Sequence, residues 1–335
     1  MGICSLTLSG AKGKGGDLFP DPERSEGEGW GFVPVLTRSP RCGELTRSPL
    51  RINYHMPMDE TLARKESALE ANLRSHGRLL IAYSGGVDSA YLAWAAHRVL
   101  DDAMLAVIAD SPSLARAQLK DALAFAAEQT IPVEVIATQE LARPEYVRND
   151  SSRCFFCKDE LFTLMEDFRR RRAFDAIAYG INLDDRGDFR PGQQAAREHG
   201  VVAPLLECGL TKQDIRELSH AAGLRIWDKP ASACLASRIE YGRPVTPDAL
   251  RTVEQGEDAL RRLGFRQFRV RHHGAIVRIE IARDELPRAL TPVMADEFAR
   301  IFRSLGFTYI TLDLEGFRSG SMNALLTIET AAEKS

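Results

Sequence analysis

No apolar run in the 335-residue chain approaches the roughly 20 residues that a membrane span needs. The N-terminus lacks a compact apolar signal segment behind a basic start. Neither sign of charge dominates: the net charge is −3, so no global field draws the chain to nucleic acid or to an anionic membrane. These absences predict a cytoplasmic protein, where cysteines serve as thiols or ligands and rarely form structural disulfides. There are six cysteines, at 4, 42, 154, 157, 208 and 234. The CxxC of Cys154 and Cys157 has no second CxxC to match it, which argues against a closed four-cysteine zinc site. A phosphate loop of the GxxxxGK[ST] kind is also missing. What remains is an ordinary globular composition, 44% hydrophobic and 27% charged.

Residues 1–57 differ from the rest. AKGKGGDLFPDPERSEGEGWG is rich in Gly, Pro and charge, and LTRSP occurs twice. No helical or strand period persists, so the segment reads as disordered. Transit peptides are poor in acidic residues, and this segment is not, so a mis-assigned start before Met56 or Met58 is the preferred reading. Removing its seven basic and six acidic residues from the chain's 44 and 47 leaves a net −4 for the remainder.

From residue 58 a helix pattern leads into alternating short apolar runs and amphipathic helices. RLLIAYS, MLAVIAD, PVEVIAT, FDAIAYG and VVAPLLE read as strands. Such alternation predicts an α/β fold with a doubly wound parallel sheet over residues 58–238. Ligands of such sheets sit at the carboxyl ends of the strands, where Ser84, Asp110, Thr138 and Gly180 fall. After Arg238 one long helix, two strands joined at Gly274, a second helical stretch and the strand TYITLDLEG predict a smaller α+β domain over residues 239–335.

The stretch IAYSGGVDSAYLAWAA places a glycine pair between a strand and a helix. Such a turn points backbone N–H groups at an anion, aided by the helix dipole. Ser84, Gly85, Gly86, Val87, Asp88 and Ser89 are the candidate ATP-binding residues, with Asp110 and Gly180 at neighbouring strand ends. Asp88, a carboxylate beside a polyphosphate, implies Mg²⁺ between them. The plainer reading is a tight turn that needs glycine for geometry alone, and Asp110 can equally cap the following helix. SGGVDS resembles the signature of the PP-loop ATP pyrophosphatase superfamily, which cleaves ATP between the α- and β-phosphates and adenylates a substrate oxygen.

RCFFCKDELF carries Cys154 and Cys157, and KPASACLASRIEYG carries Cys234, Ser237 and Arg238. Three thiolates can hold a [4Fe–4S] cluster with one iron left open, or all three can be small core residues. SGGVDSAYLA, RCFFCK, GINLDDRGDFRPG, KPASACLASRI and LEGFRSGSMN together resemble the LarE family, in matching order over about residues 58–330. The resemblance implies an ATP-dependent sulfurtransferase of nickel-pincer nucleotide biosynthesis. Its substrate is a pyridinium mononucleotide with two carboxylates, each adenylated and then converted to a thiocarboxylate. The family has a form with one sacrificial cysteine and a form whose added CxxC pair helps hold a [4Fe–4S] cluster; the cysteines here match the second. Cys234 matches the cysteine common to both. The family also forms homo-oligomers.

By the same resemblance Asp184, Asp185, Asp188 and Arg190 form a positioning loop, Arg318 contacts substrate and Glu280 binds a divalent ion. A polar turn is the plainer reading of the aspartates. Arg269 and Arg271 share one face of a strand by period two, either as a solvated face or as a phosphate-binding pair. His272 and His273 read as polar strand residues and Cys208 as structural. The sulfur donor is unidentified. Rival readings are a tRNA thiolase, which needs a basic RNA-binding surface; an NAD-synthetase-like amidotransferase, which leaves the cysteines unexplained; and a non-catalytic nucleotide- or metal-binding protein.

Overall fold

The structure, a computed structural model, describes residues 59–186 and 191–318. The expectations for residues 1–57, Asp188 and Arg190 lie outside these residues. Helix α1 (Glu60–Ser75) begins where Asp59 accepts the Thr61 N–H at 3.2 Å, an N-cap. Then come β1 (Leu79–Ala82), α2 (Val87–Leu100), β2 (Met104–Asp110), α3 (Arg116–Glu128) and β3 (Val133–Ala137). A short α4 (Pro144–Val147) precedes the long α5 (Arg153–Arg172) and β4 (Ala176–Tyr179). Helices α6 (Pro191–Glu198), α7 (Pro204–Glu207) and α8 (Lys212–Ala221) follow.

The four strands form one parallel sheet in the order β3-β2-β1-β4. Strand β1 reads LLIA because both of its faces are covered. Leu79 and Ile81 pack with Leu69 of α1, Leu92 of α2, Phe125 of α3 and Ile215 of α8. Leu80 and Ala82 pack with Phe162 and Met165 of α5 and Ala195 of α6. Period-two alternation therefore feeds two cores, and the sheet is doubly wound. The chain steps from β1 to β2 to β3, then returns to the far side of β1 as β4. That reversal opens a crevice at the carboxyl ends of β1 and β4.

VVAPLLE is not the fifth strand that its apolar run predicted. Val202 makes a single parallel bridge to Ala178, and α7 starts at Pro204. Proline has no N–H for a ladder and suits the first turn of a helix, so pairing stops after one residue.

After Arg238, α9 (Pro247–Arg262) leads to an antiparallel hairpin of β5 (Phe268–His273) and β6 (Ile276–Ile281). Its turn uses Gly274 at φ +68. The predicted second helical stretch is two helices, α10 (Leu286–Ala289) and α11 (Pro292–Ser304). Thr291 splits them by capping α11, accepting the Met294 N–H at 3.4 Å. Strand β7 (Tyr309–Leu312) pairs parallel with β6. Phe298 and Phe302 of α11 cover Val270, Val277 and Ile279 of the hairpin.

Candidate functional site

The crevice between β1 and β4 is where the glycine loop lies. Gly85 has φ +70, and a Cβ there would come within 2.4 Å of the Ala122 Cβ. Gly180, at the end of β4, backs onto the loop so closely that a Cβ would come within 2.6 Å of the Ser89 nitrogen. The Ser84 and Ser89 hydroxyls share a hydrogen bond at 3.0 Å, and the Ser84 N–H donates to Ser89 Oγ at 3.1 Å. Gly86 caps α2 without a side chain, so the first N–H groups of the helix are left for an anion. Val87 is buried beneath the loop.

Two lysines that the motif lacks arrive from distant sequence. Lys229 Nζ donates to the Gly85 carbonyl at 2.7 Å and to Asp121 Oδ2 at 2.5 Å. Lys212 Nζ donates to Asp88 Oδ2 at 2.5 Å. Asp88 Oδ1 is buried with no partner among the described residues. A hard oxygen left unsatisfied beside a phosphate loop fits a divalent cation such as Mg²⁺. Burial would raise the Asp121 carboxyl, but hydrogen bonds from Lys229 and Arg225 hold it below its ordinary value. Asp110 lies at the end of β2 and pairs with Arg116. It does not cap α3, whose N-cap is Ala115.

Asp184 and Asp185 sit in the turn Leu183–Asp185. Asn182 Oδ1 accepts the Asp184 N–H at 2.9 Å, and Asp185 Oδ2 accepts the Asn182 N–H at 3.3 Å. Asp184 Oδ2 also accepts the Lys212 N–H at 2.8 Å. The turn thus braces the start of α8 and, through Lys212, the phosphate loop.

Helix α5 begins at Arg153, so Cys154 and Cys157 share its first turn. Spacing i, i+3 puts them on one face. Cys157 and Cys234 pack against the apolar cluster of Tyr146, Leu235, Ala236 and Ile239. Burial pushes the Cys157 thiol up to about 12, with Cys234 and Cys154 adding to the rise and Lys158 opposing it. Cys154 is exposed by area yet crowded by protein atoms; burial and then Cys234 raise its thiol too. The three thiols therefore feel one another. Among the described residues no three Cys, His, Asp or Glu side chains are gathered for a single metal ion.

Cys234 is held by its carbonyl. Ser237 Oγ donates to it at 2.7 Å and Arg238 Nη1 at 2.9 Å. Arg238 is 2% exposed and pairs with Glu257 at 2.9 Å. It thus positions Cys234. Arg269 donates to the carbonyls of Phe268 at 2.7 Å and Ala231 at 3.0 Å. Burial pushes its guanidinium down to about 10; Arg238 and Arg271 add repulsion, which Glu257 and Glu280 offset in part. Arg271 donates to the Ser237 carbonyl at 3.2 Å and pairs with Glu280 at 2.9 Å. Arg269 and Arg271 thus turn toward the Cys234 segment, not to solvent, as period two allows. Glu280 is fully buried between Arg271 and Arg278. Arg318 pairs with Asp313 at 3.4 Å and with Glu315. Its neighbour Phe317 lies under Arg269, 4.8 Å from the ring centroid.

Several site residues escaped the sequence reading. Lys229 opens the quoted KPASAC segment, and that was its one signal. Lys212, Asp121, Tyr146 and Glu257 carried none. Cys208 packs on the main core as predicted for a structural cysteine. No helix among the described residues is long and apolar enough to cross a membrane.

No protein-family model matches the chain. It is 42% identical over 266 residues to an uncharacterized protein of Synechocystis, covering 78% of this chain and 99% of that one. An uncharacterized protein of Methanocaldococcus jannaschii is 27% identical over 242 residues, covering 72% of this chain and 91% of its own. The pyridinium-3,5-bisthiocarboxylic acid mononucleotide synthase of Lactiplantibacillus plantarum is 35% identical over 268 residues, covering 80% of this chain and 96% of that enzyme. With that identity along nearly the whole of the synthase, and with the glycine loop and a held cysteine in the same unit, the chain belongs to the LarE family.

Proposed function

We propose that this chain is a cytoplasmic, homo-oligomeric, ATP-dependent sulfurtransferase. It converts the two carboxylates of a pyridinium mononucleotide into thiocarboxylates for a nickel-pincer nucleotide. The observation that carries the reading is the uncapped phosphate loop at the sheet's switch point, in a chain related to a synthase of that product.

The ATP pyrophosphate group lies on the N–H groups that open α2, with Ser84 and Ser89 as polar walls. Asp88, whose buried Oδ1 has no hydrogen-bond partner among the described residues, would hold Mg²⁺ and so bring its charge to the phosphates. A substrate carboxylate oxygen attacks the α-phosphorus; the bond from that phosphorus to the bridging oxygen breaks, and pyrophosphate leaves. A carboxylate oxygen is a poor leaving group, and adenylation makes it a good one. A sulfur anion presented at Cys234 then attacks the acyl carbon, and AMP leaves with the oxygen. Arg238 and Ser237 fix the Cys234 backbone for that approach. Arg269 and Arg271 supply the positive charge that favours the substrate phosphate there.

Cys154, Cys157 and Cys234 form an all-thiol donor set with two members in one helical turn. That suits a cluster that takes one thiolate per iron better than it suits a single ion. The raised thiols of Cys154 and Cys157 would be deprotonated by coordination. A [4Fe–4S] cluster, when bound, supplies an open iron that can carry sulfide.

The test is anaerobic protein incubated with ATP, Mg²⁺ and the biscarboxylated mononucleotide. Pyrophosphate, AMP and a sulfur-bearing product by mass spectrometry are expected, with about four irons per protomer that Cys154→Ala loses. No pyrophosphate overturns the enzymatic reading. Zinc in place of iron overturns the cluster.

A further inference from the structure

Between Lys229 and Cys234 the chain runs exposed through Pro230, Ala231, Ser232 and Ala233. Residues 231–233 donate no backbone–backbone hydrogen bond among the described residues. Long side chains from elsewhere hold this strap. Lys229 Nζ reaches the Gly85 carbonyl at 2.7 Å. Ser232 Oγ donates to Gln118 Oε1 at 2.9 Å, and Gln118 Nε2 donates to the Ser84 carbonyl at 3.3 Å. On its other side Arg269 holds the Ala231 carbonyl at 3.0 Å and Arg238 holds that of Ala233 at 2.6 Å. Along the strap, ties to two consecutive carbonyls of the phosphate loop thus alternate with ties to the arginines around the thiol.

The ties at the loop can change partner. Lys229 carries a full positive charge, met by Asp121 and one neutral carbonyl. A polyphosphate on the N–H groups of the same loop offers anionic oxygens, and charge-assisted bonds to these are shorter and stronger than bonds to a neutral carbonyl. Small side chains, and N–H groups that enter no backbone ladder, let the strap follow the lysine. Its motion ends at Leu235, whose N–H is bonded to the Ser113 carbonyl at 2.7 Å. Cys234 is the residue just before that anchor.

We propose that Lys229 is a positioning residue which couples occupancy of the phosphate loop to the placement of Cys234 through the 230–233 strap. The proposal rests on the ATP reading above and adds to it how the two halves of the reaction are kept in step. A polyphosphate on the loop draws the strap taut, and the sulfur is presented only while the loop is occupied.

The test is hydrogen exchange of the full-length protein, read by mass spectrometry with and without α,β-methylene ATP and Mg²⁺. The amides followed are those of Leu235 and Ser237, both hydrogen-bonded, with β1 as the internal control. In wild type the nucleotide is expected to slow their exchange about tenfold, the scale of one charge-assisted hydrogen bond. Lys229→Met is expected to lose that response at saturating nucleotide, and Lys229→Arg to restore most of it. Ser232→Ala, which keeps the lysine, is expected to show a partial loss and guards against a Lys229→Met protein that does not fold. Steady-state kinetics should show the Lys229→Met defect in kcat for thiocarboxylate formation as well as in KM for ATP. A full exchange response in Lys229→Met overturns the proposal, as does wild type that binds the analogue without a change at Leu235. Wild type that binds no analogue by calorimetry overturns the ATP reading and the coupling with it.

Discussion

The two ends of the site carry positive charge in opposite ways. At the phosphate loop the cations are lysines, each on a carboxylate and each within reach of water. The Lys212 and Asp88 side chains are 33% and 18% exposed, and those of Lys229 and Asp121 are 20% and 36% exposed. At the sulfur end the cations are arginines sealed from water: Arg238 with Glu257 at 3% and 8%, Arg271 with Glu280 at 7% and 0%. A lysine is a compact charge on a flexible stem, whereas an arginine is a fixed fork of donors. The first arrangement suits a ligand that arrives and departs in each turnover. The second suits a frame that holds a cysteine and one anion in place. The lysine pairs at the glycine loop stay open to water and to exchange; the arginine pairs at the sulfur end are closed within the fold.

If that contrast is right, neutralising a carboxylate at the sulfur end does the most damage. Glu280→Gln leaves two guanidiniums without their shared anion, and is expected to cost about 3–5 kcal/mol in urea unfolding, as for a broken buried pair. A loss below about 1 kcal/mol, the range of exposed pairs, would erase the difference between the two ends. The thiols provide an intermediate test. With the Cys157 thiol pushed up to about 12, the neutral form dominates at neutral pH in metal-free protein. Only the thiolate reacts, so iodoacetamide labelling of Cys157 is expected to rise about tenfold per pH unit between about pH 8 and 10. A plateau near pH 9 would mean an open, solvated sulfur end. The smallest effect belongs to the phosphate end. Arg225→Ala removes a partly exposed partner of Asp121 and is expected to cost under about 1 kcal/mol in the same unfolding assay, because Lys229 remains.

Legibility followed the range of the forces. The four strands of the parallel sheet were readable because alternation and apolar runs reflect which faces are covered. VVAPLLE failed because one proline outweighed its apolar neighbours. The CxxC spacing alone did not say that Cys154 and Cys157 lie in a helix; the first turn of α5 is what brings them onto one face. The hairpin arginines could be placed on a common face, yet two readings stayed open for that face. Contacts with Ala231 and Ser237 are what turned it inward.

By itself the sequence determined the doubly wound sheet, the glycine loop and its place after β1, and the family through motifs in order. Each depends on neighbours along the chain: a steric demand for glycine, a period of two, a spacing of three. The tertiary structure alone decided where the positive charge comes from. Lys229 lies 144 residues from Gly85, and Lys212 lies 124 from Asp88. Glu257 meets Arg238 only because α9 packs beneath the turn Leu235–Arg238. A charged side chain carries no period and no local conformational mark, so its partner is chosen by the fold that brings the two together.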